Sequence, residues 1–293
     1  MRKKILPLII LSAFFCGCSP FYQMIKLAPS GGLKAISFSE APLNPVYRFF
    51  YPDTLGNGYL RELRQGYKLD SLTGQASDEF EKIKLILDWT HQQWEHNGSN
   101  TPSSSDALTI LKEAHGGKQF RCVEYGIVAA AALNSLDIRA RVLGLKTRDV
   151  EKVKYSAGHV VAEVYSTKYK KWIFIDPQFN VLPVLNGLPL NGVEFQNAIL
   201  NDRANLKLIN LNGEVSADDC SYYIKWVAKY LFYFDASFDQ RIDASGKYQA
   251  IEGKTKLTLV PKGEKEPRVF QRKSKIDYSH YTNSLNDFYQ KPF

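Results

Sequence analysis

Gly158-His159-Val160-Val161-Ala162-Glu163-Val164-Tyr165, the polar segment Ser166-Thr167-Lys168-Tyr169-Lys170-Lys171, and Trp172-Ile173-Phe174-Ile175-Asp176-Pro177 form two β-rich runs around a short turn. Branched and aromatic residues bounded by a polar break are a hairpin signal. With the turn centred between Thr167 and Lys168, position 159 is expected opposite 176, 161 opposite 174 and 163 opposite 172. His159 and Asp176 are then cross-strand neighbours on one face, about 4.5–5.5 Å apart at Cβ. At that range a carboxylate fixes the tautomer of an imidazole and stabilises its protonated form. Pro177 cannot donate to a ladder, so the second strand ends just after the aspartate.

Upstream, Gly116-Gly117 breaks one helix, and Cys122 opens a run whose apolar residues Val123, Ile127, Val128, Ala131 and Leu136 predict a largely buried second one. A thiol in the first turn of a helix feels the positive end of the macrodipole, and a nearby imidazolium favours the thiolate further. The thiolate is the nucleophilic form. Taken singly, each residue has an ordinary explanation: a buried cysteine, a polar strand end, a turn-forming aspartate. Together, Cys122 at a helix start and a hairpin presenting His159 and Asp176 on one face read as nucleophile, base and orienter for acyl transfer.

The segments Phe120-Arg121-Cys122-Val123-Glu124-Tyr125-Gly126, Leu136-Asp137-Ile138-Arg139-Ala140-Arg141-Val142 and the two strands of the hairpin resemble the core of the transglutaminase-like superfamily, over roughly residues 80–180. The resemblance implies an α+β, papain-like fold in which a nucleophile at a helix N-terminus packs on an antiparallel sheet. It also implies a Cys-His-Asp triad in this chain order. The superfamily includes transglutaminases, peptide N-glycanases and bacterial members regarded as peptidases or amidases, and some members have lost catalysis. The expected activity is cysteine-dependent hydrolysis of an amide bond in a peptide or protein. Two alternatives are a non-catalytic envelope protein binding peptide or glycan, and a crosslinking transamidase. The first oxyanion donor is expected to be the Cys122 backbone N–H. For the second, Gln119 lies three residues upstream, and the resemblance adds Trp94, because transglutaminases use an upstream indole.

Met1-Arg2-Lys3-Lys4, the apolar stretch Ile5 to Phe15, and Phe15-Cys16-Gly17-Cys18 resemble a bacterial lipoprotein signal, with cleavage before Cys18 and lipid on its thiol. The expected setting is the cell envelope, on an outer membrane and facing the periplasm. Residues 1–17 are expected to be the signal peptide, 18–50 a tether and approach segment, 51–205 the catalytic domain and 206–293 a C-terminal extension. Its run Tyr222 to Phe234 is dense in aromatic rings, expected to pack it onto the core, with a sugar or peptide ledge as the alternative.

At 293 residues with 44% hydrophobic content, the chain can bury a sizeable core. Its net charge of +8 is spread along the sequence without a block, which disfavours nucleic acid as a partner. There is no CxxC pair, HExxH helix or glycine-rich phosphate loop. His91 and His96, five apart around Trp94, do not share a helical face, so neither metal nor cofactor is expected. Cys220 is expected to stay unbridged to Cys122.

Overall fold

Helix starts in the computed structural model follow local chemistry. Asp78, Asp106 and Asn191 each accept an N–H three residues on, at 2.9 Å, and open α3, α4 and α6 in that order. Residues 34–241 and 249–292 are described; Cys16, Cys18 and the expected signal segment lie outside them. The helical part runs through α1 (Gly58–Gly66), α2 (Leu69–Thr73), α3 (Glu79–His91), α4 (Ala107–His115) and α5 (Cys122–Ser135). The strands β1 (Ala140–Lys146), β2 (Gly158–Ser166) and β3 (Lys171–Ile175) follow, then the hairpin β4 (Leu182–Leu185) and β5 (Leu188–Pro189). After α6 (Gly192–Asn201) come β6 (Leu206–Asn210), β7 (Gly213–Glu214), α7 (Ala217–Val227) and a 3-10 turn, Ala228–Tyr230. The chain closes with β8 (Tyr233–Ser237), β9 (Lys256–Leu259), β10 (Val269–Phe270), β11 (Ser274–Lys275), β12 (Ser279–Thr282) and α8 (Leu285–Phe288).

The main sheet has six strands in the order β12-β9-β8-β1-β2-β3, antiparallel at every step except β12 against β9. Helix α5 lies on one face, over Ala140, Ala162, Val164, Ile173 and Ile175, with α1, α3 and α4 packed around it. The opposite face, with Leu143, Leu145, Val161 and Phe174, is covered by α6, α7 and the small sheet β5-β4-β6-β7. The fold is thus α+β with an antiparallel-rich sheet. Segment 206–293 supplies three strands of the same main sheet, and residues 34–50 lie against the core, with Phe49 buried and Phe50 bridged to Asp239. Among the described residues, no helix is long and apolar enough to cross a membrane.

The hairpin register differs from the expected one. The hairpin pairs Ala162 with Ile175, Glu163 with Phe174 and Tyr165 with Trp172, two residues out from the expected register. The cause is a turn, Thr167 to Lys170, centred one residue later than expected, with Lys170 in the left-handed region at φ 53°. A slip of two keeps every side chain on its face, whereas a slip of one would have inverted them. Helix α3 stops at His91, and Trp94 turns into the core between Phe120 and Tyr125. The cap of α4 is Asp106. Val181 to Gly192 is mostly paired as β4 and β5.

Candidate active site

Asp176 follows the last residue of β3 and is fully buried. A buried carboxylate is costly unless its lone pairs are satisfied. Oδ1 accepts the backbone N–H groups of Gln178 at 3.0 Å and Phe179 at 3.3 Å. Oδ2 accepts from His159 Nε2 and from the Tyr223 hydroxyl, each at 2.7 Å. The turn that supplies those amides is itself held. His91 Nδ1 lies 3.2 Å from the Pro177 carbonyl and 3.1 Å from that of Gln178, so it carries the proton and donates. Asn180 reaches Asp88 at 2.8 Å. His91 is therefore a brace beneath the aspartate.

Val161 and Phe174 are buried in the core under α6 and α7, and strand alternation sends His159 and Asp176 to that same face. Because Asp176 takes Nε2, Nδ1 is the ring nitrogen left free of it, and Cys122 lines the same cavity as the imidazole, near enough for its charge to be felt there. Burial opposes the charged form of His159, but Asp176 and then Cys122 outweigh it and push its pKa up to about 9. His96 stands close enough for its charge to be felt; burial first, then the His159 charge, hold it below its ordinary value.

Cys122 is the first residue of α5, half-buried and unbridged, as is the buried Cys220. Its position depends on how closely α5 lies on β2. Gly126, one turn on, comes so near that a Cβ there would lie 2.9 Å from the Val161 carbonyl oxygen. The start of the helix is held by Glu124, which accepts from the Arg121 N–H at 3.1 Å and pairs with the Arg121 guanidinium at 2.6 Å.

Of the two expected oxyanion donors, Trp94 is buried with its indole N–H unsatisfied, its ring 4.4 Å from that of Tyr125 and its carbonyl accepting the Tyr125 hydroxyl at 2.6 Å. Gln119 is exposed, and its carbonyl takes the Asn100 side chain at 2.9 Å.

The aromatic run on and after α7, expected to pack the extension, surrounds the imidazole. Trp226 meets it edge to face with centroids 4.8 Å apart and Tyr230 lies tilted at 5.9 Å, while Phe179, from the turn after β3, meets it edge to face at 6.3 Å. Burial and then the Cys122 charge push the Tyr230 phenol up to about 12, which keeps it neutral beside the thiol. Tyr223 went unrecognised in the sequence. The available signal was its helical spacing from Trp226 and Tyr230, which puts all three rings on one side of α7 and its continuation.

A cavity of about 220 Å³ opens on Cys122 and His159, with Lys146, Asp235 and Lys256 on another wall. A larger one of about 550 Å³ shares Val123, Gly144, Val160 and Lys256 with it and runs along Ile127, Ala130 and Ala131 of α5. Among the described residues, no cluster of three or more His, Cys, Asp or Glu side chains is arranged to hold a metal.

The model of the transglutaminase-like superfamily matches residues 68–177, a span that holds Cys122, His159 and Asp176. A search of the curated proteins finds no match to the sequence. Among solved structures, a candidate cysteine protease from Cytophaga hutchinsonii is similar at 18% identity and TM-score 0.34, over 59% of this chain and 55% of that one. A TGase is similar at 21% identity and TM-score 0.29, over 41% of this chain and 30% of its own. Calcium-bound LapG of Legionella pneumophila is similar at 14% identity and TM-score 0.30, over 55% of this chain and 82% of that one. The chain thus spans little more than half of the Cytophaga protein and under a third of the TGase. Residues 68–177, which hold all three residues, are thus similar to the transglutaminase-like superfamily.

Proposed function

We propose that the chain hydrolyses an amide bond in a peptide or protein through a thioester on Cys122. The observation that carries the reading is the cavity that the half-buried Cys122 and His159 line together, with His159 bonded on to the fully satisfied Asp176. In this scheme the Cys122 thiolate adds to the amide carbonyl carbon, and the oxygen becomes an oxyanion facing the Cys122 backbone N–H. The unsatisfied Trp94 indole supports it as the second donor over the exposed Gln119. His159, protonated, gives its proton to the leaving amine nitrogen as the C–N bond breaks and a thioester remains. It then takes a proton from water, which attacks the thioester and releases the carboxylic acid and the thiolate. Asp176 holds the ring orientation throughout and does not itself take the proton. Hydrolysis ranks above crosslinking because water is the abundant acceptor in the envelope setting expected from the leader.

Alkylation tests the nucleophile. With iodoacetamide near neutral pH, Cys122 should react at least about tenfold faster than glutathione, with the label mapped to that residue. Cys122→Ala should remove the label and any turnover while its thermal midpoint stays within a few degrees. A reaction no faster than glutathione supports the non-catalytic binding reading; a large fall in midpoint makes Cys122 a packing residue.

We also propose lipid attachment at Cys18 as the link to the envelope. Each buried CH₂ of an acyl chain adds roughly 0.8 kcal/mol of membrane affinity, and more than one chain makes the anchor stable. Full-length protein made in a lipoprotein-processing bacterium should partition into detergent, and Cys18→Ala should leave a larger, uncleaved form. Normal cleavage and release of that variant refutes the anchor.

A further inference from the structure

The cavity beside Cys122 carries a second chemistry on the wall built by β1, β8 and β9. Lys146 and Lys256 both donate to Asp235, Lys146 to Oδ2 and Lys256 to Oδ1, the latter at 2.8 Å. The Asp235 and Lys146 side chains are 3% and 8% exposed, whereas that of Lys256 is 35% exposed and lines both cavities. Two lysines thus share one carboxylate. Burial, against the attraction of Asp235, holds Lys146 below its ordinary value, so an anion entering the cavity would favour the second positive charge beside that of Lys256.

The local sequence makes room for this arrangement. A Cβ at position 144 would lie 2.4 Å from Asp235 Oδ2, so Gly144 lets the carboxylate sit across its strand. Among the described residues, Asp235 is the only carboxylate in the lining of the cavity that holds Cys122. Attraction by Asp235 raises Lys256 above its ordinary value against the effect of burial, so its charge persists at neutral pH. Each ammonium has Asp235 as its one acceptor among the described hydrogen bonds, and each has three donors. The spare donors of Lys256 are available to a ligand in the cavity.

We infer that Lys146, Asp235 and Lys256 form a carboxylate-binding subsite, held out chiefly by Lys256, and that the amide substrate of Cys122 carries a carboxylate close to the bond attacked. The inference rests on the reading of Cys122 as nucleophile. The adjoining apolar trough along Val123, Ile127, Ala130 and Ala131 suits small apolar side chains on the same ligand, so the substrate class is a short peptide bearing a free carboxylate.

A pair of small alkylating probes separates the two ideas. The rate at Cys122 is measured with anionic iodoacetate and with neutral iodoacetamide, and the ratio is normalised to that of glutathione. His159 affects every variant alike, and the ratio cancels changes in thiolate fraction. The expected ratio exceeds that of glutathione by about tenfold, falls at least about threefold in Lys256→Gln, is retained in Lys256→Arg, and declines with added salt in the parent. Rapid alkylation with a ratio unchanged in Lys256→Gln overturns the subsite. Reaction with both probes no faster than glutathione overturns the nucleophile reading itself. Peptides then place the carboxylate. Protection of Cys122 by N-acetyl-Ala-Ala but not by its C-terminal amide puts it at a chain end. Protection by N-acetyl-Ala-Glu amide puts it on a side chain. Equal protection by the neutral amide, independent of Lys256, overturns the subsite.

Discussion

At the residue scale, Asp176 is the best-held group in the site, with two backbone amides on Oδ1 and His159 and Tyr223 on Oδ2. The consequence for His159 is a charge that persists to alkaline pH, with its pKa about 9 against an ordinary 6.5. Titration of the histidine resonances by NMR should find one imidazole with a midpoint near 9, and Asp176→Asn should bring it down. A folded value above the unfolded one means that the stabilisation is complete below about pH 6.5 and is lost as pH rises through about 9. Thermal midpoints should therefore drop over that window in the parent and less so in Asp176→Asn. On turnover the same substitution should cost about 10²–10⁴, as for other triad orienters. Tyr223→Phe removes one donor to a charged acceptor and should cost about 1.5–3 kcal/mol of stability, with a smaller rate loss than Asp176→Asn. Equal rate losses in the two would mean that the phenol does more than hold the carboxylate.

At the scale of elements, helix α5 and strand β2 must approach closely for Cys122 and His159 to meet. Gly126 is where that approach is tightest, with Val160 Cγ1 at 3.1 Å as well as the Val161 carbonyl oxygen from a Cβ built there. Gly126→Ala gains helix propensity of about 1 kcal/mol but forces a backbone contact apart, and overpacking of this kind costs about 1–3 kcal/mol. The expected outcome is a net loss of stability in denaturant unfolding together with slower alkylation of Cys122. A variant as reactive and more stable than the parent would mean that the helix lifts without disturbing the site. The β2–β3 turn is more tolerant, because Glu79 caps it by accepting from Ser166, the Thr167 N–H and the Thr167 hydroxyl.

At the scale of the whole molecule, the segment 206–293 is woven into the site. Strand β8 pairs directly with β1, β9 and β12 continue the sheet, and α7 brings Tyr223 and Trp226 to Asp176 and His159. Near the end of the chain, the Phe288 carbonyl accepts from Arg141, whose guanidinium is fully buried against Glu163 at 2.7 Å and lies over the Trp172 ring at 4.4 Å. Truncation after residue 205 would strip β1 of β8, one of its two neighbours, and leave Arg141 and the triad half open. It should yield protein without a cooperative unfolding transition and without fast alkylation at Cys122. Removing one partner of the buried pair, as in Glu163→Gln, should cost about 3–5 kcal/mol, read from denaturant midpoints.

The sequence by itself determined what neighbouring residues settle among themselves. Asp78 and Asp106 cap their helices through amides three residues away, alternation puts His159 and Asp176 on one face despite a turn centred one residue later than expected, and Cys122 opens a helix behind a Gly-Gly break. The reason is range, because caps, periodicity and turn chemistry act over a few residues. Where the chain returns to itself was decided only in three dimensions. Tyr223 meets Asp176 across 47 positions, Lys146 meets Asp235 across 89, and Arg141 meets the Phe288 carbonyl across 147. No local pattern distinguishes a tyrosine that buttresses an aspartate from one that fills a core. What decides is which buried polar atoms need a partner once the layers have closed, and that demand arises only in the packed interior.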